Sequence, residues 1–152
     1  MVRAAVLNEV NGTHEVRDIT LRPVGPRDVR VAIAAAGICH SDLSLSNGTL
    51  AQTFPVVLGH EGSGTVAEIG SDVTHVRVGD RVVLNWAPPC RACWFCTHDE
   101  PWLCEYSAAA SREPHATLDG VEVYPGIGTG AFAEQTVVPA AALIPVPEDI
   151  PL

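Results

Sequence analysis

Lysine is absent from the 152 residues: the nine basic residues are all Arg, they face eighteen acidic ones, and the formal charge is −9. A chain this acidic, with no basic run, is poorly equipped to grip a phosphate backbone or an anionic bilayer, so neither nucleic acid nor membrane is an expected partner. Long hydrophobic runs are lacking too, and none approaches the roughly 20 residues of a bilayer span. The start, Met1-Val2-Arg3-Ala4-Ala5-Val6-Leu7, turns polar at Asn8 and Glu9 and does not read as an export signal. Five Cys without such a signal imply a reducing, cytoplasmic setting, where thiols bind metal or do chemistry instead of pairing. No internal repeat or low-complexity tract occurs.

What is present is globular. Apolar residues make up 47% and charged residues 18%, in one domain's worth of length. Twelve Pro and thirteen Gly leave little room for long helices. Strands are expected at 2–7, 14–19, 29–36, 64–70 and 132–138, with 78–84 a turn feeding another strand. One short helix is expected around 41–46. The pattern predicts a mainly β fold, an antiparallel barrel or sandwich. Residues 107–128 read as a loop, and 145–152 as a linker.

Four Cys fall inside 85–106 as Cys90-x2-Cys93-x2-Cys96-x7-Cys104. Zinc takes four thiolates in a tetrahedron, and such close spacing lets one loop wrap the ion. A site made of four thiolates has no open position, so its role is structural. A metal would replace the apolar core that this lobe lacks.

A second constellation joins Gly37-Ile38-Cys39-His40-Ser41-Asp42 to Gly59-His60-Glu61-Gly62. Taken singly, Cys39 reads as a small buried residue and His60 as a turn residue. Taken together they place thiol, imidazole and carboxylate at strand ends, and all three are usual zinc ligands. Fewer than four protein ligands leaves room for substrate. The stretches 62–67 and 126–131 both fit G-x-G-x-x-[GA], but neither opens a helix within a βαβ unit, so both are rejected as nucleotide sites. His14, His75, His98 and His115 show no partners in the sequence and read as surface residues.

These motifs, in this order and spacing, together with Val78-Gly79-Asp80-Arg81-Val82 and Gly130-Ala131-Phe132-Ala133-Glu134, resemble the N-terminal, GroES-like catalytic domain of zinc-dependent alcohol dehydrogenases of the medium-chain dehydrogenase/reductase superfamily. The resemblance implies a partly open β-barrel with a four-cysteine zinc lobe. It implies that Cys39 and His60 hold a catalytic zinc and that Glu61 approaches it when ligands exchange. Ser41 would take the alcohol proton, with Asp42 behind the metal environment. His40 would face the coenzyme pyrophosphate, Trp86 and Leu50 would line the substrate pocket, and Cys90, Cys93, Cys96 and Cys104 would hold the structural zinc. The implied reaction is NAD- or NADP-linked interconversion of primary alcohols and aldehydes by an enzyme that is a homo-oligomer. The family's third catalytic-zinc Cys and its Rossmann domain are not among these residues. The expectation is therefore an incomplete catalytic domain, inactive alone, with 145–152 leading towards a nucleotide-binding domain. Ser44 stands where many relatives have a relay His. The competing expectation is a zinc-stapled GroES-like module that works through protein contacts without catalysis; it has no use for Cys39, His60 and Glu61.

Overall fold

A computed structural model describes residues 1–147, 149 and 150. The strands are β1 (Val2–Leu7), β2 (His14–Leu21), β3 (Asp28–Gly37), β4 (Val56–Val57), β5 (Glu61–Ile69), β6 (Arg81–Leu84), β7 (Ala116–Leu118), β8 (Val121–Pro125), β9 (Gln135–Pro139) and β10 (Leu143–Pro145). Two short helices, α1 (His40–Ser46) and α2 (Trp94–Thr97), lie between them. The mainly β architecture takes the form of a closed ring, β1-β2-β7-β8-β4, joined to an open five-stranded sheet in the order β10-β6-β5-β3-β9. Every pairing is antiparallel except β4 with β8. The stretch before β9 ties sheet to ring: Ala5 N donates to Phe132 O at 2.8 Å and Glu134 N to Arg3 O at 2.9 Å.

The apolar interior follows the two-residue period of the strands. Ala4, Val6, Ile19, Val57, Ala116, Leu118 and Val123 fill the ring. Val29, Val31, Val66, Val82, Val138 and Leu143 anchor the core of the sheet. A third cluster, Leu7, Leu45, Val56 and Leu58, lies where α1 meets the ring. Each fully buried Val or Leu contributes roughly 1.5–3 kcal/mol relative to its exposed state.

The helix at 41–46 begins one residue earlier than expected and ends as expected. The loop expected over 107–128 is partly a hairpin. Asp119 and Gly120 both have positive φ, 51° and 84°, the type I′ geometry that joins β7 to β8. The Asp-Gly pair between Leu118 and Val121 is the signal for that turn. The stretch from 145 onwards is fastened at its start: Pro145 closes β10, Val146 N donates to Arg81 O at 3.0 Å, and the Arg81 guanidinium donates to Ile150 O at 2.8 Å. Glu148, Pro151 and Leu152 of that stretch lie outside the described residues.

His115 is not a surface residue. It is 2% exposed, and both its backbone N–H and its Nδ1 reach Val123 O, at 3.0 and 3.2 Å. Its Nε2 has no hydrogen-bond partner. Burial, with a smaller contribution from Arg22, pushes this imidazole down to about 4. The unfolded chain therefore binds the proton more readily than the folded one. Stability associated with His115 is complete above its ordinary value of 6.5 and is lost as pH falls from there towards 4. The full difference is about 3 kcal/mol. Urea unfolding of wild type and His115→Leu across this range should show the wild type losing about that much more stability; parallel profiles would contradict it.

Candidate active site

The site is assembled at the end of the β3–β5 ladder. One residue of β5, Ala67, and one of β3, Ala34, are left unpaired, and the two bulges offset each other. The ladder ends with Gly37 opposite Glu61. Cys39 thus follows one strand end by two residues, and His60 precedes the other by one. Their donor atoms and a Glu61 carboxylate oxygen all lie within 4.8 Å of one another. His60 is 6% exposed, Cys39 is half-buried and Glu61 is exposed.

Asp42 holds this arrangement together. Cys39 is the N-cap of α1, with extended φ −103° and ψ 158°, and Asp42 is the third residue of the helix. Asp42 Oδ2 accepts the Cys39 N–H at 3.0 Å, one half of a capping box. Its other oxygen accepts the Gly59 N–H at 3.0 Å and meets His60 Nδ1 at 3.3 Å. A carboxylate on Nδ1 makes that nitrogen the protonated one and leaves Nε2 as the lone pair, the arrangement usual for a metal-binding His. Asp42 is 3% exposed, so its charge is met by these N–H groups and not by water. Leu45, on the same face of α1, enters the cluster with Leu7, Val56 and Leu58.

The opposite wall was not visible in the sequence. Gly59 has φ +91°, and a Cβ there would stand 2.5 Å from the Phe132 ring. Its carbonyl accepts Ala131 N at 2.9 Å and Thr129 Oγ1 at 2.8 Å; Thr129 O in turn accepts Thr136 Oγ1 at 2.6 Å. Thr129 and Thr136 are buried polar residues that fix the peptide preceding His60. Gly126–Gly128, part of a rejected glycine motif, forms one 3-10 turn leading into this wall, and the other such motif lies within β5.

Ser41 Oγ lies 3.7 Å from Cys39 Sγ. His40 is exposed, with Nδ1 3.4 Å from Ser44 Oγ. Leu50 and Trp86 sit on two loops, 46% and 51% exposed. The first loop is tied to α1 by Leu50 N donating to Ser44 O at 2.9 Å, and the second to the sheet by Asn85 N donating to Ala142 O at 2.7 Å.

The four remaining thiols form a separate cluster, their sulfurs within 4.8 Å of one another. Cys93 caps α2, Cys96 lies within it, and Cys104 follows the 3-10 turn Pro101–Leu103. Sulfur separations of 3.9 Å (Cys90–Cys96) and 4.0 Å (Cys93–Cys104) are far beyond a disulfide bond, and all five Cys are free. Backbone N–H groups point at the sulfurs: Cys93 N at Cys90 Sγ, 3.2 Å, and Cys90 N at Cys104 Sγ, 3.2 Å. N–H groups of Cys96 and Glu105 lower the Cys93 thiol to about 6, and that of Cys90 lowers Cys104, while desolvation pushes Cys96 up to about 12. Four soft donors converging on one point, with amides already turned towards them, fit a tetrahedral dication. The Cys39, His60 and Glu61 set also fits zinc, with room for a further ligand.

A family model described as the alcohol dehydrogenase GroES-like domain matches residues 25–148, and the chain belongs to that family. It is 36% identical over 158 residues to the class-3 alcohol dehydrogenase of Dictyostelium discoideum, covering 99% of this chain and 42% of that protein. Among solved structures it superposes on the alcohol dehydrogenase zinc-binding domain protein of Burkholderia ambifaria with a TM-score of 0.92 and 26% identity, over 99% of this chain and 43% of that one. On the benzyl alcohol dehydrogenase of Acinetobacter calcoaceticus the TM-score is 0.87 at 29% identity, over 99% and 42%. The chain thus spans less than half the length of the relatives it matches. Among the described residues no helix is long and apolar enough to cross a membrane.

Asp42→Ala should leave two backbone N–H groups and one ring N–H without their acceptor. A loss of about 3 kcal/mol in urea unfolding is expected; a loss below half that would show that the carboxylate does not hold the site together.

Proposed function

We propose that this chain is the catalytic domain of a zinc-dependent alcohol dehydrogenase that interconverts primary alcohols and aldehydes with NAD or NADP. The observation that carries the reading is the meeting of Cys39, His60 and Glu61 at the end of one strand ladder, with Asp42 behind His60. A barrel that served only as a binding module would need the four-cysteine lobe at most.

In this reading Cys39 Sγ and His60 Nε2 hold the catalytic zinc, and Cys90, Cys93, Cys96 and Cys104 hold the structural one. Zinc supplies Lewis-acid stabilisation of negative charge on the alcohol oxygen, and the nicotinamide accepts the hydride. The protein's own residues position and deprotonate. Asp42 keeps the His60 ring in the required tautomer and orientation. Ser41, beside the Cys39 sulfur, takes the alcohol proton and passes it towards solvent. His40, at the exposed start of α1, faces the coenzyme phosphates; Leu50 and Trp86 border the substrate. The alcohol or aldehyde is a small molecule, the nucleotide is bound mainly by a Rossmann domain beyond this one, and the whole enzyme is a cytoplasmic homo-oligomer.

Metal analysis tests the reading directly. The chain should hold two zinc ions, Cys39→Ala should lose one, and Cys104→Ala should lose the other together with the ordered lobe. One ion in wild type, unaffected by Cys39→Ala, would fit the zinc-stapled module, or a domain that lacks the third ligand of the second ion; the same count in an enzyme that carries this domain with its nucleotide-binding domain, where two ions are expected, separates the two. In an enzyme carrying this domain together with its nucleotide-binding domain, Ser41→Ala should lower kcat by about 100-fold; a change within a few-fold would exclude this proton route.

A further inference from the structure

Within the turn Gly126–Gly128, Ile127 has φ 51° and ψ 34°, in the left-handed region, where a β-branched side chain crowds its own backbone. Among the described residues the other non-glycine positions with positive φ are Asn11, Arg91, Asp99 and Asp119, all polar. Gly or Asn at residue 127 would form this turn with far less crowding, so local preference does not account for isoleucine there. The packing of its side chain does. Ile127 is half-buried and packs against the cluster of Leu7, Leu45, Val56 and Leu58. Leu45 belongs to α1, the helix that Cys39 caps and that carries Asp42; Leu58 stands two residues before His60. The backbone of the same turn is locked to the His60 segment. A Cβ at Gly126 would stand 2.6 Å from Leu58 Cδ2, and Thr129 N closes the turn on Gly126 O at 3.4 Å. Thr129 Oγ1 then donates to Gly59 O at 2.8 Å.

We propose that Ile127 is a positioning residue: its side chain, held in a strained turn, is the apolar wedge that sets the spacing between α1, with Cys39, and the strand end that carries His60. The inference deepens the metal centre proposed above and rests on it. Asp42 joins the two segments by hydrogen bonds, and Ile127 joins them by packing. The strain persists because relieving it would withdraw the side chain from the cluster that both segments share. Any shift of α1 against Leu58 changes the distance between thiol and imidazole, and with it the fit of one ion to both.

The spacing belongs to the chain without a metal, so the first test is amide hydrogen exchange on the metal-free chain. The Cys39 and Gly59 N–H groups both donate to Asp42 and report the spacing. Ile127→Gly suits the backbone and removes the wedge. It should make both amides exchange about tenfold faster relative to those of the β1–β2 ladder. Ile127→Ala, a milder truncation, should act in the same direction and covers the case in which Ile127→Gly does not fold. Ile127→Leu, which restores an apolar side chain, should return both amides to within a few-fold of wild type. Leu118→Ala, which removes apolar surface from the ring and not from this cluster, should leave the ratio unchanged. The second test is zinc retention in an enzyme that carries this domain with its nucleotide-binding domain. Against a chelator, Ile127→Gly should release the Cys39 ion about tenfold more readily and keep the ion of the four-cysteine lobe, an effect of the size produced by groups behind a metal's ligands. Unchanged exchange at both amides, or equal release from Ile127→Gly and wild type, would overturn the proposal. So would an equal response in Leu118→Ala, which would make the effect one of stability alone. A single zinc in that enzyme, retained by Cys39→Ala, would remove the metal centre and this proposal with it; the amide ratio, which involves no metal, tells that failure apart from a failure of the wedge.

Discussion

The carboxylate of Asp42 reaches the Cys39 N–H at the start of α1, and the Gly59 N–H and His60 Nδ1 on the other side of the site. These groups come from two strand ends that are far apart in the chain, and the carboxylate is buried among them. A buried charge is tolerable only when N–H groups replace its water, and a gap in that shell would cost several kcal/mol. Asp42 is therefore both a helix cap and the group that fixes the distance between thiol and imidazole. The orientation of the His60 ring, the direction of α1 and the position of Ser41 all follow from it.

The opposite wall works by close approach and not by charge. Gly59 admits the Phe132 ring where any side chain would collide, and its carbonyl is held by Ala131 and Thr129. Gly37 leaves space over which the Glu61 carboxylate lies. On the side of the imidazole the ligand geometry is thus fixed by close contacts and hydrogen bonds.

The lobe solves a different problem. Its aromatics are largely exposed: Trp94 is 59% exposed, Trp102 74% and Tyr106 59%. Few apolar groups are left inside it to hold the backbone. Four sulfurs and the amides pointed at them take that role. Their unequal proton affinities follow from separate N–H groups at Cys93 and Cys104 and from desolvation at Cys96; a dication at their centre would favour the thiolate at all four.

Much of this could be read from the chain alone. Alternation marked the main strands, and the cysteine spacing marked the lobe, because both depend on residues close in sequence. The Asp119-Gly120 hairpin was legible in principle, since a type I′ turn is a local preference for positive φ. The burial of His115 was not: its contact with Val123 comes with that hairpin, but its approach to Gly130 and its loss of water arise only in the assembled fold. The sequence likewise presents Cys39, Asp42, His60 and Glu61 as two short motifs of suitable chemistry. Only the tertiary structure decided that they meet, because the meeting depends on the long-range β3–β5 register that sets Gly37 opposite Glu61, a register that the two offsetting bulges restore at the strand ends. Residue types are a property of the chain; the distances between strand ends belong to the register of the sheet, which is set by long-range pairing and burial.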